Sequence, residues 1–203
     1  LECELFEACD KTNECLYEIV AEAKSYILEN KLYNDKVIAN ISGFSVEEYV
    51  HTASMFDKED QVGILEINIS CPNVKAGGMA FGTSAENAAL VCREVKKAVK
   101  KPVFMKLSPN VTDIVAIAKA CEEAGADGIS LINTMLGMRI DLKTGNPIVS
   151  TKMAGFSCPA IKPVAVRMVY QVYEAVKVPI IGMGGISTAD DVIEMMLAGA
   201  TAI

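Results

Sequence analysis

The 203 residues suffice for one sizeable core, and a balance of 51% hydrophobic to 22% charged residues is that of a globular chain. A net charge of −7 argues against a surface built for nucleic acid or anionic membrane. No apolar run approaches the roughly 18 residues of a membrane span, and the acidic opening LECELFEACD lacks the basic start of a secretory leader, so a cytoplasmic location is expected.

Residues 1–35 form a segment of their own. NECLYEIVAEAKSYILENKL has the spacing of an acidic amphipathic helix and holds no strand signal. From residue 36 a strand–helix unit repeats. KVIANIS reads as a strand, and SVEEYVHTASMF as a helix capped by Ser45. GILEINIS is the second strand. SAENAALVCREVKKAVK is the second helix, acidic at its start and lysine-rich at its end, as the helix dipole favours. PVFMKLS, the helix VTDIVAIAKACEEAG stopped by Gly125, and the strand GISLIN follow. Thr134 to about Ile161 is a long connection with Gly, Pro and Ser signals and a hairpin expected at LKTGNP. KPVAVRMVYQVYEAVK is a helix, VPIIGMGG a strand, TADDVIEMMLAG a helix ended by Gly199, and ATAI the opening of a sixth strand.

Strands apolar on both faces, alternating with amphipathic helices, predict an α/β fold with a covered parallel sheet. No GxGxxG follows the first strand, which weakens an open dinucleotide-binding sheet. Polar residues gather instead at strand C-termini: Asn68, Cys71, Lys106, Asn133 and Gly184-Gly185. That is the active face of a (β/α)8 TIM barrel. Six strands do not close eight staves, so residues 36–203 are expected to form an incomplete barrel domain, truncated at both ends.

The strand-end residues carry the chemistry. Cys71 stands between Ser70 and Pro72 in INISCPNVKAGG, where proline stiffens the exit from the strand. It is either a buried packing thiol or a nucleophile or base. The only histidine, His51, lies in a helix, which disfavours a Cys–His pair. Asn68, Asn73 and Asn133 each offer donors and an acceptor suited to a planar ligand of alternating carbonyls and N–H groups, or else serve as turn residues. Lys106, in an apolar strand, requires a bound anion or an acidic neighbour such as Glu66. Gly184 and Gly185, between a late strand and a helix, are placed as a barrel phosphate loop would be. The seven cysteines are odd in number and contain no CxxC pair; Cys3, Cys9 and Cys15 rotate around a helix rather than lining one face. They read as reduced thiols, with neither a disulfide frame nor a metal site.

NISCPNVKAGG, VFMKLSPNVTDI, LINTMLGMRIDLKTGNPIVSTKMAGFS, PAIKPVAVRMVYQV and VPIIGMGGISTADDVIEMMLAGA together resemble dihydroorotate dehydrogenase, from about Lys36 to Ile203. NTMLGMRIDL resembles the class 1B catalytic subunits rather than the fumarate-using class 1A. The resemblance implies a (β/α)8 barrel holding FMN and oxidising (S)-dihydroorotate to orotate in de novo pyrimidine synthesis. It implies that Cys71 is the general base. It implies that Asn68, Ile69, Ser70, Cys71, Pro72, Asn73, Asn133 and Thr134 bind substrate. It implies that Asn40, Asn68, Lys106, Ile132, Gly184 and Gly185 bind the cofactor, with residues 74–83 as a closing loop. It further implies a homodimer within a heterotetramer, whose second subunit carries FAD and a [2Fe–2S] cluster and passes electrons to NAD+. Residues 1–35 hold no counterpart of the family's two opening strands or its substrate-binding lysine. The chain stops before a final Gly-Thr pair, and Cys158 stands at a usual glycine. These departures keep open a catalytically silent paralogue. A related FMN barrel, that of dihydropyrimidine dehydrogenase, fits the 134–161 segment less well.

Overall fold

The computed structural model describes residues 36–70 and 81–203, so the expected N-terminal helix lies outside the described residues. The chain runs β1 (Val37–Ile41), α1 (Val46–Phe56), β2 (Val62–Asn68), α2 (Ala85–Ala98), β3 (Val103–Lys106), α3 (Ile114–Glu123) and β4 (Gly128–Leu131). It continues with β5 (Met135–Gly137), β6 (Ala154–Phe156), a 3-10 turn (Pro159–Ile161), α4 (Lys162–Tyr173), β7 (Ile180–Gly182) and α5 (Ala189–Leu197). Among the described residues four helices open on a side-chain cap. Ser45, Ser84, Asp113 and Thr188 accept the N–H of Glu48, Asn87, Ala116 and Asp191, satisfying donors that the first turn leaves free.

Among the described residues the main sheet has the order β1-β2-β3-β4-β7, every pair parallel. The expected sixth strand begins at Ala202, bridged in parallel to Ile181. The order never reverses. Crossovers between parallel strands are right-handed, so an order that always advances puts all the helices on one side. Successive helices pack on one another, α1 to α2, α2 to α3, α3 to α4 and α4 to α5. This is the winding of a (β/α)8 barrel and not of a doubly wound sheet, with the sheet open across the described residues.

Alternation along the strands sorts side chains between the two faces. Leu65, Ile67, Met105, Ile129, Leu131 and Ile180 turn to the helices and are fully buried against residues such as Val91, Val95, Ala118, Ala165 and Val169. The opposite face carries Ile38, Asn40, Glu66, Asn68, Phe104, Lys106 and Ser130, and Ile38 is 49% exposed there. Phe104 stands in register with Gly128, and a Cβ at Gly128 would lie 2.2 Å from the ring. The glycine therefore gives the ring its room.

The 134–161 connection is more regular than its sequence suggests. β5 and β6 pair antiparallel, Met135 opposite Phe156, around a hairpin closed by Ile140 and Pro147. The expected turn at LKTGNP is its tip, where Asp141 N–H donates to Asn146 O at 2.8 Å. Strands of three residues are too short to show alternation, which is why only the turn was legible. Among the described residues no helix is long and apolar enough to cross a membrane.

Candidate functional site

The open face of the sheet carries one connected polar row at the strand C-termini. Register makes it: Asn40 lies beside Glu66, and Asn68 beside Lys106, which lies beside Ser130. Parallel partners in register point the same way, and Glu66 and Asn68 share a face by their spacing of two. Lys106 Nζ donates to Glu66 Oε2 at 3.3 Å, and Asn40 Nδ2 donates to the same oxygen. Asn68 Nδ2 reaches Asn40 Oδ1 at a long 3.5 Å. Asn68 Oδ1 accepts Asn133 Nδ2 at 2.9 Å and the backbone and hydroxyl of Ser70 at 3.3 and 3.1 Å. Asn133 Nδ2 also reaches Ser70 Oγ at 2.7 Å, and Asn133 Oδ1 accepts Thr134 N–H at 2.7 Å.

The two readings of Lys106 thus resolve toward the acidic neighbour. The ammonium meets Glu66, which is only 7% exposed. A buried carboxylate of that kind needs a charged or hydrogen-bonding partner, and here it has both. The ammonium has three donors, so a contact to Glu66 does not exhaust it.

The structure brings together Asn40, Asn68, Ser70, Lys106, Asn133 and Thr134. Ile69 differs, because its side chain is fully buried in the helix-side core, leaving only its backbone for the site. Ile132 is buried against the glycine turn, with Cγ1 3.1 Å from the position a Gly184 Cβ would take. Cys71, Pro72, Asn73 and residues 74–80 of the expected closing loop lie outside the described residues.

Gly184 and Gly185 have φ of 123° and 74°, the left-handed region that glycine enters freely. A Cβ on Gly185 would meet Cys158 O at 2.7 Å and Lys162 N at 2.8 Å. The turn is a backbone-only surface pressed against the 3-10 turn and the start of α4. Cys158 itself is exposed and free.

Several members of the site were not singled out from the sequence. Tyr49 OH holds the Asn68 carbonyl at 2.8 Å. Asn110 ties the far end of the row, donating to Thr134 O at 3.0 Å and accepting Leu136 N–H at 2.8 Å. It also lines a cleft of about 370 Å³ with Thr83, Thr112 and Asp113. Ser130 Oγ is buried beside Lys106 and finds no hydrogen-bond partner among the described residues. Asp191 had a signal, the Thr-x-x-Asp of a capping box, which the structure forms.

Cys92, on α2, and Cys121, on α3, are buried free thiols. Burial pushes the Cys92 thiol up to about 12 and raises Cys121 further, so neither supplies thiolate at neutral pH. Among the described residues no group of His, Cys, Asp or Glu side chains could hold a metal ion.

Among the described residues the ion pair with the shortest contact joins α4 to α5. Lys162 Nζ lies 2.5 Å from Asp191 Oδ1 and 2.6 Å from Glu194 Oε2. The Lys162 hydrogen bond, with those from Ser187 and Thr188, holds the Asp191 carboxyl well below the usual carboxylate range. Hydrogen bonds from the same two carboxylates raise Lys162 above the usual lysine range. A depressed acid contributes stability above its unfolded value of about 3.9, lost as pH falls through the lower folded value. A raised base contributes stability below about 10.4, lost as pH rises through the higher folded value. The melting-temperature gap between wild type and Asp191→Asn should therefore stay constant from about pH 5 to 9 and close at more acid pH. A gap that changes steadily between pH 5 and 8 would contradict this.

Comparison with known proteins follows the same direction. A family model described as Dihydroorotate dehydrogenase matches residues 5–203, starting ahead of the resemblance read from Lys36. The chain is 56% identical over 183 residues to "Dihydroorotate dehydrogenase B (NAD(+)), catalytic subunit" of Anoxybacillus flavithermus, covering 88% of this chain and 59% of that protein. It is 50% identical over 199 residues to the protein of the same name from a Geobacillus species, covering 98% and 63%. The chain thus spans less than two thirds of the length of these relatives. Among solved structures, FabK from Thermotoga maritima is similar in fold, with a TM-score of 0.55 at 15% identity, covering 96% of this chain and 47% of that one.

Proposed function

The chain belongs to the dihydroorotate dehydrogenase family, and we propose that it supplies the catalytic barrel that oxidises (S)-dihydroorotate to orotate in pyrimidine synthesis. The observation that carries this reading is the row Lys106–Glu66–Asn40–Asn68–Asn133, a hydrogen-bonded edge on the open face at the strand C-termini. Its pattern of amide donors and acceptors suits a flat heterocycle.

The residues present fit FMN. The left-handed Gly184-Gly185 turn leaves no room for side chains and offers backbone to a phosphate. The orphaned Ser130 hydroxyl beside Lys106 has hydrogen-bonding capacity that a ring edge would use. Asn40, Asn68, Lys106, Ile132, Gly184 and Gly185 would hold the cofactor, which when bound supplies the acceptor for the hydride leaving substrate C6.

The chain's own residues do the rest. Cys71 takes the C5 proton as general base. Asn68, Ser70, Asn73, Asn133 and Thr134, with the backbone of Ile69 and Pro72, orient the ring and carboxylate. Lys106, held by Glu66, presents a positive charge where negative charge collects. Residues 74–83 close over the substrate and exclude water. The names of the relatives support a second, electron-transfer subunit; we assign it FAD and a [2Fe–2S] cluster, with NAD+ as final acceptor and a homodimer at the centre of a cytoplasmic heterotetramer.

Anaerobic addition of dihydroorotate to the FMN-loaded protein tests the reading. Bleaching of the oxidised flavin band is expected. A protein that stays colourless when mixed with FMN, or holds FMN that dihydroorotate never bleaches, would favour a silent paralogue.

A further inference from the structure

We propose that Lys162 and Asp191 are positioning residues that hold the Gly184–Ser187 turn in the shape that receives the flavin phosphate. This rests on the FMN reading above and adds to it what makes the turn a site.

Two adjacent glycines do not define one conformation; they permit many. Something must hold the turn at φ of 123° and 74°. Asp191 does this from the α5 side. Its Oδ2 accepts the Ser187 N–H at 2.9 Å, the Ser187 hydroxyl at 3.1 Å and the Thr188 N–H at 2.8 Å. Its Oδ1 accepts Lys162 Nζ at 2.5 Å. Lys162 is the first residue of α4, and its backbone N would stand 2.8 Å from a Gly185 Cβ. One carboxylate thus ties the exit of the turn to the helix that the turn leans against, and Glu194 secures the lysine from a second side at 2.6 Å.

The charges separate this role from simple attraction. Lys162 faces two carboxylates, so the three groups together carry net negative charge. They do not recruit a phosphate by field. If electrostatics alone governed, Asp191→Asn would remove a negative charge near the phosphate and tighten binding. If Asp191 acts by shaping the turn, the same change weakens it. The two accounts differ in sign.

Titration of the protein with FMN and with riboflavin, read by quenching of flavin fluorescence, distinguishes them. In Asp191→Asn the dissociation constant for FMN should rise at least tenfold, while that for riboflavin, which has no phosphate, moves less than twofold. Lys162→Met should show the same selective loss, smaller because the Ser187 and Thr188 contacts persist, and Lys162→Arg should restore most of it. Unchanged or tighter FMN binding, or equal losses for FMN and riboflavin, would overturn the proposal. Should Asp191→Asn fail to fold, Lys162→Met decides by the same two constants. A wild-type protein that binds neither flavin would overturn the FMN reading itself, an outcome distinct from a variant that loses no selectivity.

Discussion

Replacing Cys71 by serine should slow the reduction of bound flavin by dihydroorotate roughly a hundred- to ten-thousand-fold near neutral pH, the range over which a positioned general base acts. The reason is thiol chemistry. A cysteine with an ordinary value of about 8.5 keeps a useful fraction of thiolate at neutral pH, and a serine hydroxyl does not. Within this sequence the only histidine, His51, lies exposed on α1 and gives no sign of a Cys–His pair. Stopped-flow bleaching without oxygen gives the rate directly. In the parent protein it should climb with pH through the thiol range; in the variant it should climb only at more alkaline pH. FMN affinity should barely move, because Cys71 is assigned to the substrate. A bleaching rate unaffected by the substitution would remove Cys71 as the base.

Lys106→Met should act on stability and on redox balance together. It leaves Glu66, 7% exposed, with Asn40 as its remaining partner in the row. Breaking a buried pair from one side costs about 3–5 kcal/mol; the partial exposure of the lysine favours the lower end. Urea unfolding would measure it, and adding Glu66→Gln should recover most of the loss, because the uncompensated charge is gone. The second consequence is functional. Loss of the ammonium should weaken reduced flavin more than oxidised flavin and lower the midpoint potential of the bound cofactor. Equal weakening of both forms would count against the electrostatic role.

How much of this was readable before the structure depends on how local each signal is. Asn68 and Lys106 stood out because polar side chains interrupt apolar strands. The barrel winding followed from repetition and from the absence of a dinucleotide turn. Glu66 was legible only as a guess about Lys106, since register decides which strand neighbours meet. Ser130 and Tyr49 carried no signal at all: their meaning comes from a partner on another strand or from a carbonyl 19 positions away. The Lys162–Asp191 pair spans 29 positions and joins two helices that sequence treats as separate. The three-residue strands β5 and β6 were too short to show their period.

The row of carboxamides also has a direction. Asn133 donates to Asn68, Asn68 to Asn40, and Asn40 to Glu66. Asn68 cannot turn its amide over, because its oxygen already receives Asn133 and both groups of Ser70. Glu66, as a carboxylate, accepts only and fixes the other end. Three amides are therefore locked into one arrangement, and what they leave free is a fixed order of donors and acceptors. A heterocycle lying along this edge would meet that fixed order, and a keto form and its enol, which present opposite patterns, would not fit it equally.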